Sequence, residues 1–287
     1  LEEGVYTLTA EWNGDIYGDL VIEGNGATIK RPASAPKFGI FNTGSTIEFR
    51  ELTIRGGHSP SQGGGIFNYA FLRLRDCIVE DNRVDDDGAG IYNAGSLHLL
   101  RTTVRANVGP RGGGITNEPD AYALIEDSVI DSNEGGTDGA FNNDGTMDFV
   151  NSTISRNSAP SDCMYCYGAG AGYHCEANFR NVTIIRNTGK FVGGILTPDC
   201  CGECAGIRIE NSILASNVGD KYADCTLGFL KSDGHNIFGD ISGCVTTTQP
   251  SDSFVDPTLG PFTDDGTAGN GHYPPSKESP AVDGAEN

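Results

Sequence analysis

Short runs of alternating apolar and polar residues recur along the whole chain. Two examples are 71–75 (FLRLR) and 96–99 (SLHL), in which every second residue is Leu. A period of two is that of a β-strand, whose successive side chains point to opposite faces. Helices are not predicted, because no ten-residue stretch keeps helical apolar spacing without an interrupting Gly, Pro or Asn.

A Gly-rich phrase ending in Asn recurs before these runs, as GGGIFN (63–68), GAGIYN (88–93), GGGITN (112–117) and DGAFNN (138–143). A second block also closes on Asn, at six positions that are 25, 26, 24, 30 and 30 residues apart. A repeat of this length is typical of a solenoid, in which each turn packs only on its neighbours. The six closing residues are Asn82, Asn107, Asn133, Asn157, Asn187 and Asn217.

The residues that fill the repeat select one kind of solenoid. A leucine-rich repeat has a framework of nearly all Leu and usually a helix, whereas the expected interior here mixes aliphatic and aromatic residues. We therefore predict one all-β domain over 1–287, a parallel β-helix of about eight or nine coils. The repeat coils span about 18–240 and an irregular closing segment spans about 241–287. The expected interior residues are Ile66, Leu72, Leu74, Ile78, Ile91, Leu97, Leu99, Val104, Ile115, Leu124, Val129, Phe149, Ile154, Phe179 and Ile184.

Gly and Asn mark the expected corners of each coil. A chain that turns several corners in about 25 residues needs positive φ or close backbone approach there, and Gly and Asn tolerate these conditions. Stacked Asn side chains can also hydrogen-bond to the coils above and below, as amide ladders do in cross-β structures. We therefore interpret the six closing asparagines as a structural ladder and not as a binding site.

The combination of GGGIxN, an alternating LxL strand and NSTIxxN resembles the right-handed parallel β-helix repeat proteins of bacterial surfaces and secretions. Those proteins are related in architecture to pectate lyases and in repeat style to polymorphic outer-membrane proteins. The resemblance covers almost the whole chain, from an opening similar to their first coil (4–24) to an end similar to their closing segment (235–283). It implies a right-handed coil and an extracellular or cell-surface location, but the same repeat carries both adhesins and enzymes.

Members of this group usually begin with an amphipathic helix that caps the solenoid, whereas this chain starts at Leu1 directly before the first strand. An uncapped coil exposes backbone hydrogen-bonding groups and apolar core, which pair readily with another strand. We therefore expect residues 1–30 to contact another subunit or a removed part of the same polypeptide. Self-assembly through the first coil follows from this expectation.

The charge balance restricts the partners. Acidic side chains number 39 and basic ones 19, which gives a formal net charge of -20. This charge disfavours nucleic acid and anionic membrane surfaces as partners. No stretch approaches 18 apolar residues, so no transmembrane segment is predicted, and no signal peptide precedes Leu1. A mature or excised secreted segment has this composition, with other protein subunits or surface glycans as its partners.

Six of the nine cysteines lie in the two repeats that are 30 residues long. Enlarged loops on adjacent coils would lie about 4.8 Å apart, and six thiols there could close three disulfides. Two alternatives stay open, a structural zinc site and a redox-active dithiol, since 163–166 and 201–204 are both C-x-x-C. The six residues are Cys163, Cys166, Cys175, Cys200, Cys201 and Cys204.

The other three cysteines are interpreted separately. Cys225 and Cys244 form an expected disulfide before the last coil, a pairing that the resemblance also implies. Cys77 occupies a place held by Ser in other repeats, so we expect a buried free thiol.

Catalytic constellations are weak, and no catalytic residue is assigned. The six lysines are scattered, and the arginines that recur in the second block are interpreted as an exposed, solvated face. The acidic run Asp85, Asp86 and Asp87 is a weak Ca²⁺ candidate, because that ion prefers hard oxygen ligands, although such a run is usually a solvent-facing loop. The recurring arginines are Arg55, Arg105, Arg156 and Arg186.

Two functions remain. The favoured one is a non-enzymatic extracellular or cell-surface structural or adhesive protein, a subunit of a larger assembly, because no catalytic group repeats or converges in the sequence. The other is a polysaccharide lyase or glycoside hydrolase of the pectate-lyase-like superfamily. A groove lined by three carboxylates, or by a Lys/Arg pair beside a His or Tyr, would favour the enzyme.

Overall fold

The computed structural model describes residues 1–14, 18–160, 172–196 and 206–282. The ladders between its strands are parallel and connect each coil to the next, and no helix occurs in these ranges. The predicted fold class is therefore confirmed as a parallel β-solenoid, with about 8 turns. No described segment forms a helix suited to crossing a bilayer.

Each turn has four walls, which we number in chain order. Walls 1, 2 and 4 belong to one large sheet, and wall 3 is a separate sheet of two-residue strands. Six of the described strands bend around a corner and contribute to two walls. Leu20–Lys30 and Ile47–Arg55 serve walls 1 and 2, while Phe141–Val150, Gly172–Arg180, Cys225–Gly234 and Gly243–Thr247 serve walls 4 and 1.

The remaining strands each belong to one wall. Wall 1 contains Phe71–Arg75, Ser96–Leu100, Tyr122–Glu126 and Gly206–Glu210. Wall 2 contains Val5–Thr7, Ile78–Glu80, Thr103–Arg105, Val129–Asp131, Thr153–Ser155, Thr183–Ile185, Ile213–Ala215 and Ile237–Phe238. Wall 3 contains His58–Ser59, Arg83–Val84, Val108–Gly109, Glu134–Gly135, Ser158–Ala159, Thr188–Gly189 and Val218–Gly219. Wall 4 contains Trp12–Asn13, Phe41–Thr43, Ile66–Asn68, Ile91–Asn93, Ile115–Asn117 and Ile195–Leu196.

Stacked aliphatic and aromatic side chains fill the interior, and most of the expected interior residues lie there. For three of these residues the prediction is wrong. Ile78 and Val129 are paired with Thr103 on the outer face of wall 2, and Val79 and Ile130 point inward instead. Leu124 likewise faces outward, between the buried Ala123 and Ile125. The alternation was assigned in the wrong register, because apolar residues occupy both faces of these strands.

The six closing asparagines form the expected ladder at the corner between walls 2 and 3. Each Nδ2 donates to Oδ1 of the next asparagine over 2.9–3.0 Å. The same Oδ1 accepts the backbone N–H of the preceding asparagine. The last acceptor is Asp224 Oδ1, 2.8 Å from Asn217 Nδ2.

Gly and Asn do not supply the positive φ at this corner, contrary to expectation. The residue before each ladder asparagine does, with φ between 54° and 58°. A single left-handed residue turns the chain so that the next side chain points into the solenoid. These residues are Asp81, Ala106, Ser132, Arg156, Arg186 and Ser216.

A second buried ladder runs along the end of wall 4. It joins Thr43 Oγ1 to Asn68 Oδ1, and then Asn68, Asn93, Asn117 and Asn143 in turn, over 2.7–2.9 Å. Its asparagines are the ones that end the Gly-rich phrases. The glycines before them allow close stacking, since a Cβ on Gly65 would lie 2.6 Å from the carbonyl oxygen of Gly90.

Residues 257–282 form a hairpin, with bridges Leu259–Pro275 and Thr263–His272, that lies on the outer face of wall 2. Three of the recurring arginines hold this closing hairpin. Arg105 is 3.3 Å from Asp264, the Arg156 guanidinium lies 3.9 Å from the centre of the Phe262 ring, and Arg186 lies 4.9 Å from that of Tyr273. Arg156 and Arg186 are exposed, as expected, but these arginines also contact the hairpin, which the sequence did not indicate.

The first coil is paired on one side in the described residues. Val5–Thr7 pairs with Leu20–Lys30, and Trp12–Asn13 pairs with Phe41–Thr43. Val5 is 63% exposed. Assembly through residues 1–30 stays a prediction.

Cys225 and Cys244 are joined by a disulfide, with their Cα atoms 5.8 Å apart. Cys77 is a buried free thiol, and burial raises its pKa to about 12. The remaining cysteines, Cys163, Cys166, Cys200, Cys201 and Cys204, lie outside the described residues, as does the side chain of Cys175. The disulfide, zinc and dithiol alternatives for these six stay predictions.

Replacing one ladder asparagine tests the ladder. Asn133→Ala removes the acceptor of the Asn107 backbone N–H and Nδ2. Because two buried donors lose their acceptor, we expect the free energy of unfolding in urea to fall by about 2–4 kcal/mol. Glu134→Ala, at the adjacent exposed position, is the control and should change it by less than about 0.5 kcal/mol. Equal effects of the two substitutions would contradict a stabilising ladder.

Two glycines of the closing hairpin provide a matched pair. Gly269 and Gly266 both have positive φ, but a Cβ on Gly269 would lie 2.6 Å from Arg101 Cα, whereas nothing lies within 4 Å of one on Gly266. Gly269→Ala should therefore detach the hairpin and raise the rate of limited proteolysis within 257–282 at least tenfold. Gly266→Ala introduces only the backbone strain of an alanine at positive φ, about 1 kcal/mol, and makes no clash with the solenoid. If both variants are cleaved at the same rate, the hairpin does not pack against the solenoid at Gly269.

Candidate functional site

The outer face of wall 1 carries a groove of about 530 Å³. It is lined by four carboxyl groups, Glu126, Asp148, Glu210 and Asp233, which meets the condition that favours an enzyme, but these side chains are already held by neighbours. Asp148 accepts hydrogen bonds from Tyr122 and Asn178, each over 2.7 Å, and Arg208 is 2.7 Å from Asp233. A ligand in this groove would have to displace these bonds, so its size alone does not make it the better site.

The outer face of wall 4 carries a second concave surface, which we call the wall-4 cleft. Its floor is the outward row Asn42, Phe67, Tyr92, Thr116 and Asn142, one residue from each of five successive coils. The loops that precede the wall-4 strands form one rim, and the turns that follow these strands form the other. A pocket of about 430 Å³ opens over Asn42 and Phe67, whereas the next floor residues, Tyr92 and Thr116, are 5% and 0% exposed, so the row is covered there.

Two buried acceptors in this cleft have no donor. They are Oδ1 of Asn42 and Oδ1 of Asp138. The amide of Asn42 donates to Glu11, and Asp138 accepts from Thr137 and Asn142 through Oδ2 alone. A buried acceptor without a partner costs about 1–3 kcal/mol.

Aromatic rings lie between these two acceptors. Phe67 and Tyr92 are stacked, with centroids 5.2 Å apart and planes 6° apart, and the exposed ring of Tyr69 lies 5.7 Å from Phe67. The Tyr92 hydroxyl accepts from Gln62 over 3.0 Å and is hydrogen-bonded to Glu118. The rings are thus fixed in place, and the accessible apolar surface comes from the partly exposed Phe67 and the exposed Tyr69, since Tyr92 is only 5% exposed.

Carboxyl groups with a raised pKa gather in the wall-4 cleft. Desolvation raises the pKa of Glu11, Asp87 and Asp144 and raises that of Asp138 to about 7. Asp224, which ends the asparagine ladder, is the other carboxyl group of the described residues that shows this direction. Such a concentration is typical of functional sites.

Asp87 and Asp138 reach the cleft floor from the same rim. Asp87 Oδ1 accepts from the Thr116 hydroxyl over 2.6 Å, and Asp138 Oδ2 accepts from Asn142 over 3.1 Å. Thr116 and Asn142 are partners on adjacent strands, about 4.8 Å apart. The two carboxyl groups therefore occupy neighbouring positions, although their residues are only 4% and 3% exposed.

The acidic run does not act as one ligand set. Asp85 is bound by Lys37 at 2.7 Å and His58 at 2.9 Å, Asp86 is 3.0 Å from Arg111, and Asp87 turns inward to Thr116. In the described ranges no three acidic, His or Cys side chains are placed to hold a metal ion. The weak Ca²⁺ hypothesis for this run gains no support from the geometry.

Comparison of the chain with protein-family models, with curated proteins and with solved structures finds no match. The function is therefore inferred from the site itself.

Apart from Asp87, the residues of this cleft were not singled out by the sequence. Glu118, Asp138 and Asp144 are spread over two repeats and look like ordinary surface acids. One signal was present, because the outward wall-4 residues Phe67, Tyr92 and Thr116 occupy the fifth position of the Gly-rich phrases GGGIFN, GAGIYN and GGGITN.

The pH dependence of stability tests the buried state of Asp138. Its raised pKa means that the folded protein keeps a proton which the unfolded chain releases above about pH 4. Stability should therefore fall as the pH rises from about 4 to about 7, the folded-state value. Asp138→Asn removes this loss.

We expect the free energy of unfolding of Asp138→Asn, relative to wild type, to be higher at pH 8 than at pH 5 by about 1 kcal/mol or more. Urea unfolding at the two pH values measures it, with Glu134→Gln as the exposed control. The same difference at both pH values would show that Asp138 titrates as an exposed carboxylate.

Proposed function

We propose that this protein is a non-enzymatic extracellular binding protein that uses the wall-4 cleft to hold a glycan. The observation that carries this proposal is the pocket of about 430 Å³ in which the polar side chains of Asn42 and Gln62 lie beside the partly exposed Phe67 ring. Sugars donate hydrogen bonds from hydroxyls around their rim and present apolar C–H faces. A site for them therefore combines fixed acceptors with an exposed ring.

The solenoid gives this cleft a rigid and repeating floor. Successive floor residues lie about 4.8 Å apart, and their strands are tied by the buried ladder from Thr43 to Asn143. A site held in this way loses little freedom when an extended ligand binds. An adhesive protein that must resist force benefits from the same rigidity.

Charge limits the class of glycan. The net charge of -20 repels polyanionic polysaccharides, and carboxyl groups line the cleft. Neutral or cationic glycans are therefore the expected ligands. The Cys225–Cys244 disulfide is consistent with an oxidising, extracellular environment.

Glycoside hydrolysis at Asp87 and Asp138 is the second candidate. Its support is the neighbouring placement of two carboxyl groups with raised pKa, one of them about 7, which suits a general acid near neutral pH. The burial of both side chains opposes it, because neither a substrate nor a water molecule has access to them in this conformation. We therefore favour binding without hydrolysis.

Binding and hydrolysis can be measured on the same samples. Isothermal titration with neutral and amino-sugar oligosaccharides should detect binding to the wild type. Phe67→Ala should weaken it at least tenfold, about 1.4 kcal/mol, because the stacking ring is lost.

Phe71→Ala is the matched control, an aromatic that is 43% exposed on wall 1, and it should leave binding unchanged. New reducing ends that appear with wild type and vanish with Asp138→Asn would establish the hydrolase instead. If no oligosaccharide binds, or if both Phe variants weaken binding equally, the wall-4 cleft is not a glycan site.

A further inference from the structure

The pocket over Asn42 and Phe67 is closed on one side of wall 4. Its described lining residues belong to the floor and to the rim formed by the loops that precede the wall-4 strands, which we call the loop rim. A charged bridge holds this rim together, since Lys37, which lines the pocket, is 2.7 Å from Asp85, and Asp85 is 2.9 Å from His58. These three residues belong to three successive coils, so the bridge closes the loop rim beside the pocket.

The pocket is also bounded along the solenoid axis. Towards the next coil the floor is covered, because Tyr92 is 5% exposed, stacks on Phe67 and accepts a hydrogen bond from Gln62 over 3.0 Å. Towards the first coil, Glu11 lines the pocket and accepts a hydrogen bond from the Asn42 amide. A ligand in this pocket therefore does not continue along the row of floor residues.

The side that faces the turns after the wall-4 strands carries an exposed ring. Tyr69 follows Phe67 by two residues, so both point outward, and their ring centres are 5.7 Å apart. Tyr69 is 44% exposed, and the residues at its place in the adjacent coils, Gly44 and Ala94, are too small to cover it. The ring lies over Gly44, where a Cβ would clash with the Tyr69 hydroxyl. Tyr69 thus offers a second apolar surface beside the open side of the pocket.

The size of the pocket matches a short ligand. Its volume of about 430 Å³ lies in the lower part of the range for small-molecule sites, about 300–1,000 Å³, so it holds a sugar unit or two and not a long segment. A chain that passes through a site needs an entrance and an exit. This pocket is closed at the loop rim and bounded in both directions along the axis, which leaves the side at Tyr69.

We propose that the pocket binds the terminal sugar of a glycan chain and that the next sugar stacks on Tyr69, where the chain leaves the protein. This inference rests on the proposed function, and it selects chain ends over chain interiors. The terminal sugar lies against Phe67, with the polar side chains of Asn42 and Gln62 beside its hydroxyls.

The dependence of affinity on chain length tests this assignment. Linear β-linked glucose and mannose oligomers of one to six units are compared by isothermal titration. Affinity should rise as the pocket and Tyr69 are occupied, up to about the trisaccharide, and longer oligomers should then agree within about twofold because they add no contact. A steady rise up to the hexasaccharide would contradict a chain-end site.

Stoichiometry on polymers gives a second measurement. A β-linked glucan and a β-linked mannan are each prepared as a short and a long fraction of the same linkage. The number of protein molecules bound per chain should be the same for both fractions if only the end is bound. Binding in proportion to chain length would show that the chain interior is the ligand.

Variants at Tyr69 locate the exit of the chain. Tyr69→Ala should weaken trisaccharide binding about tenfold and leave monosaccharide binding, followed by ligand-observed NMR, unchanged. Tyr69→Phe keeps the ring and should retain the wild-type affinity. Tyr122→Ala, at a tyrosine that is 39% exposed on wall 1, is the matched control and should change neither affinity.

The outcomes separate the two proposals. Binding that is lost in Phe67→Ala but increases with every added sugar, or scales with polymer length, would overturn the chain-end assignment and leave glycan binding intact. Equal effects of Tyr69→Ala and Tyr122→Ala on the trisaccharide would also overturn it, because the chain would not leave over Tyr69. If no oligomer or polymer binds, the proposed function fails and the inference fails with it.

Discussion

The buried asparagine ladder is the interaction on which the rest of this structure depends. The side-chain Nδ2 of each asparagine donates to Oδ1 of the asparagine in the next coil. That Oδ1 also accepts the backbone N–H of the asparagine in the previous coil. These groups are removed from water, so an asparagine out of register would leave several polar atoms unpaired. The ladder therefore fixes how each coil lies on its neighbour, and the second ladder from Thr43 to Asn143 does the same on wall 4.

Fixed registration turns repeated sequence positions into rows on the surface. On wall 2 the row includes apolar residues such as Val129, and the closing hairpin lies over it, held by Arg156 and Arg186 through their contacts with aromatic rings. On wall 4 the row is polar and aromatic, and acidic side chains from the flanking loops and turns surround it. The stacking of equivalent residues thus produces a covered apolar face on wall 2 and a polar surface on wall 4 of the same solenoid.

The alternation of apolar and polar residues predicted the strands correctly. It did not always predict which face of the strand each side chain occupies. Ile78 and Val79 are adjacent apolar residues, and so are Val129 and Ile130. The sequence pattern alone therefore does not show which residue of each pair faces the interior. The position of the left-handed corner residue decides it, because the chain turns there and the next side chain points inward. The contacts of Arg105, Arg156 and Arg186 with the hairpin were not predicted, since the hairpin is distant from them in sequence.

The sequence by itself determined the fold class, the repeat length and the asparagine ladder, because these depend on interactions between equivalent positions of adjacent repeats. Glycine at the close approaches and asparagine at the corner are local requirements, and they recur visibly along the chain. Only the tertiary structure brought Asp87, Asp138 and the stacked pair Phe67 and Tyr92 to the outer side of wall 4. Their convergence depends on how loops of different length fold over the wall-4 floor, and desolvation and the lack of a donor at Asp138 Oδ1 arise only when those loops have closed.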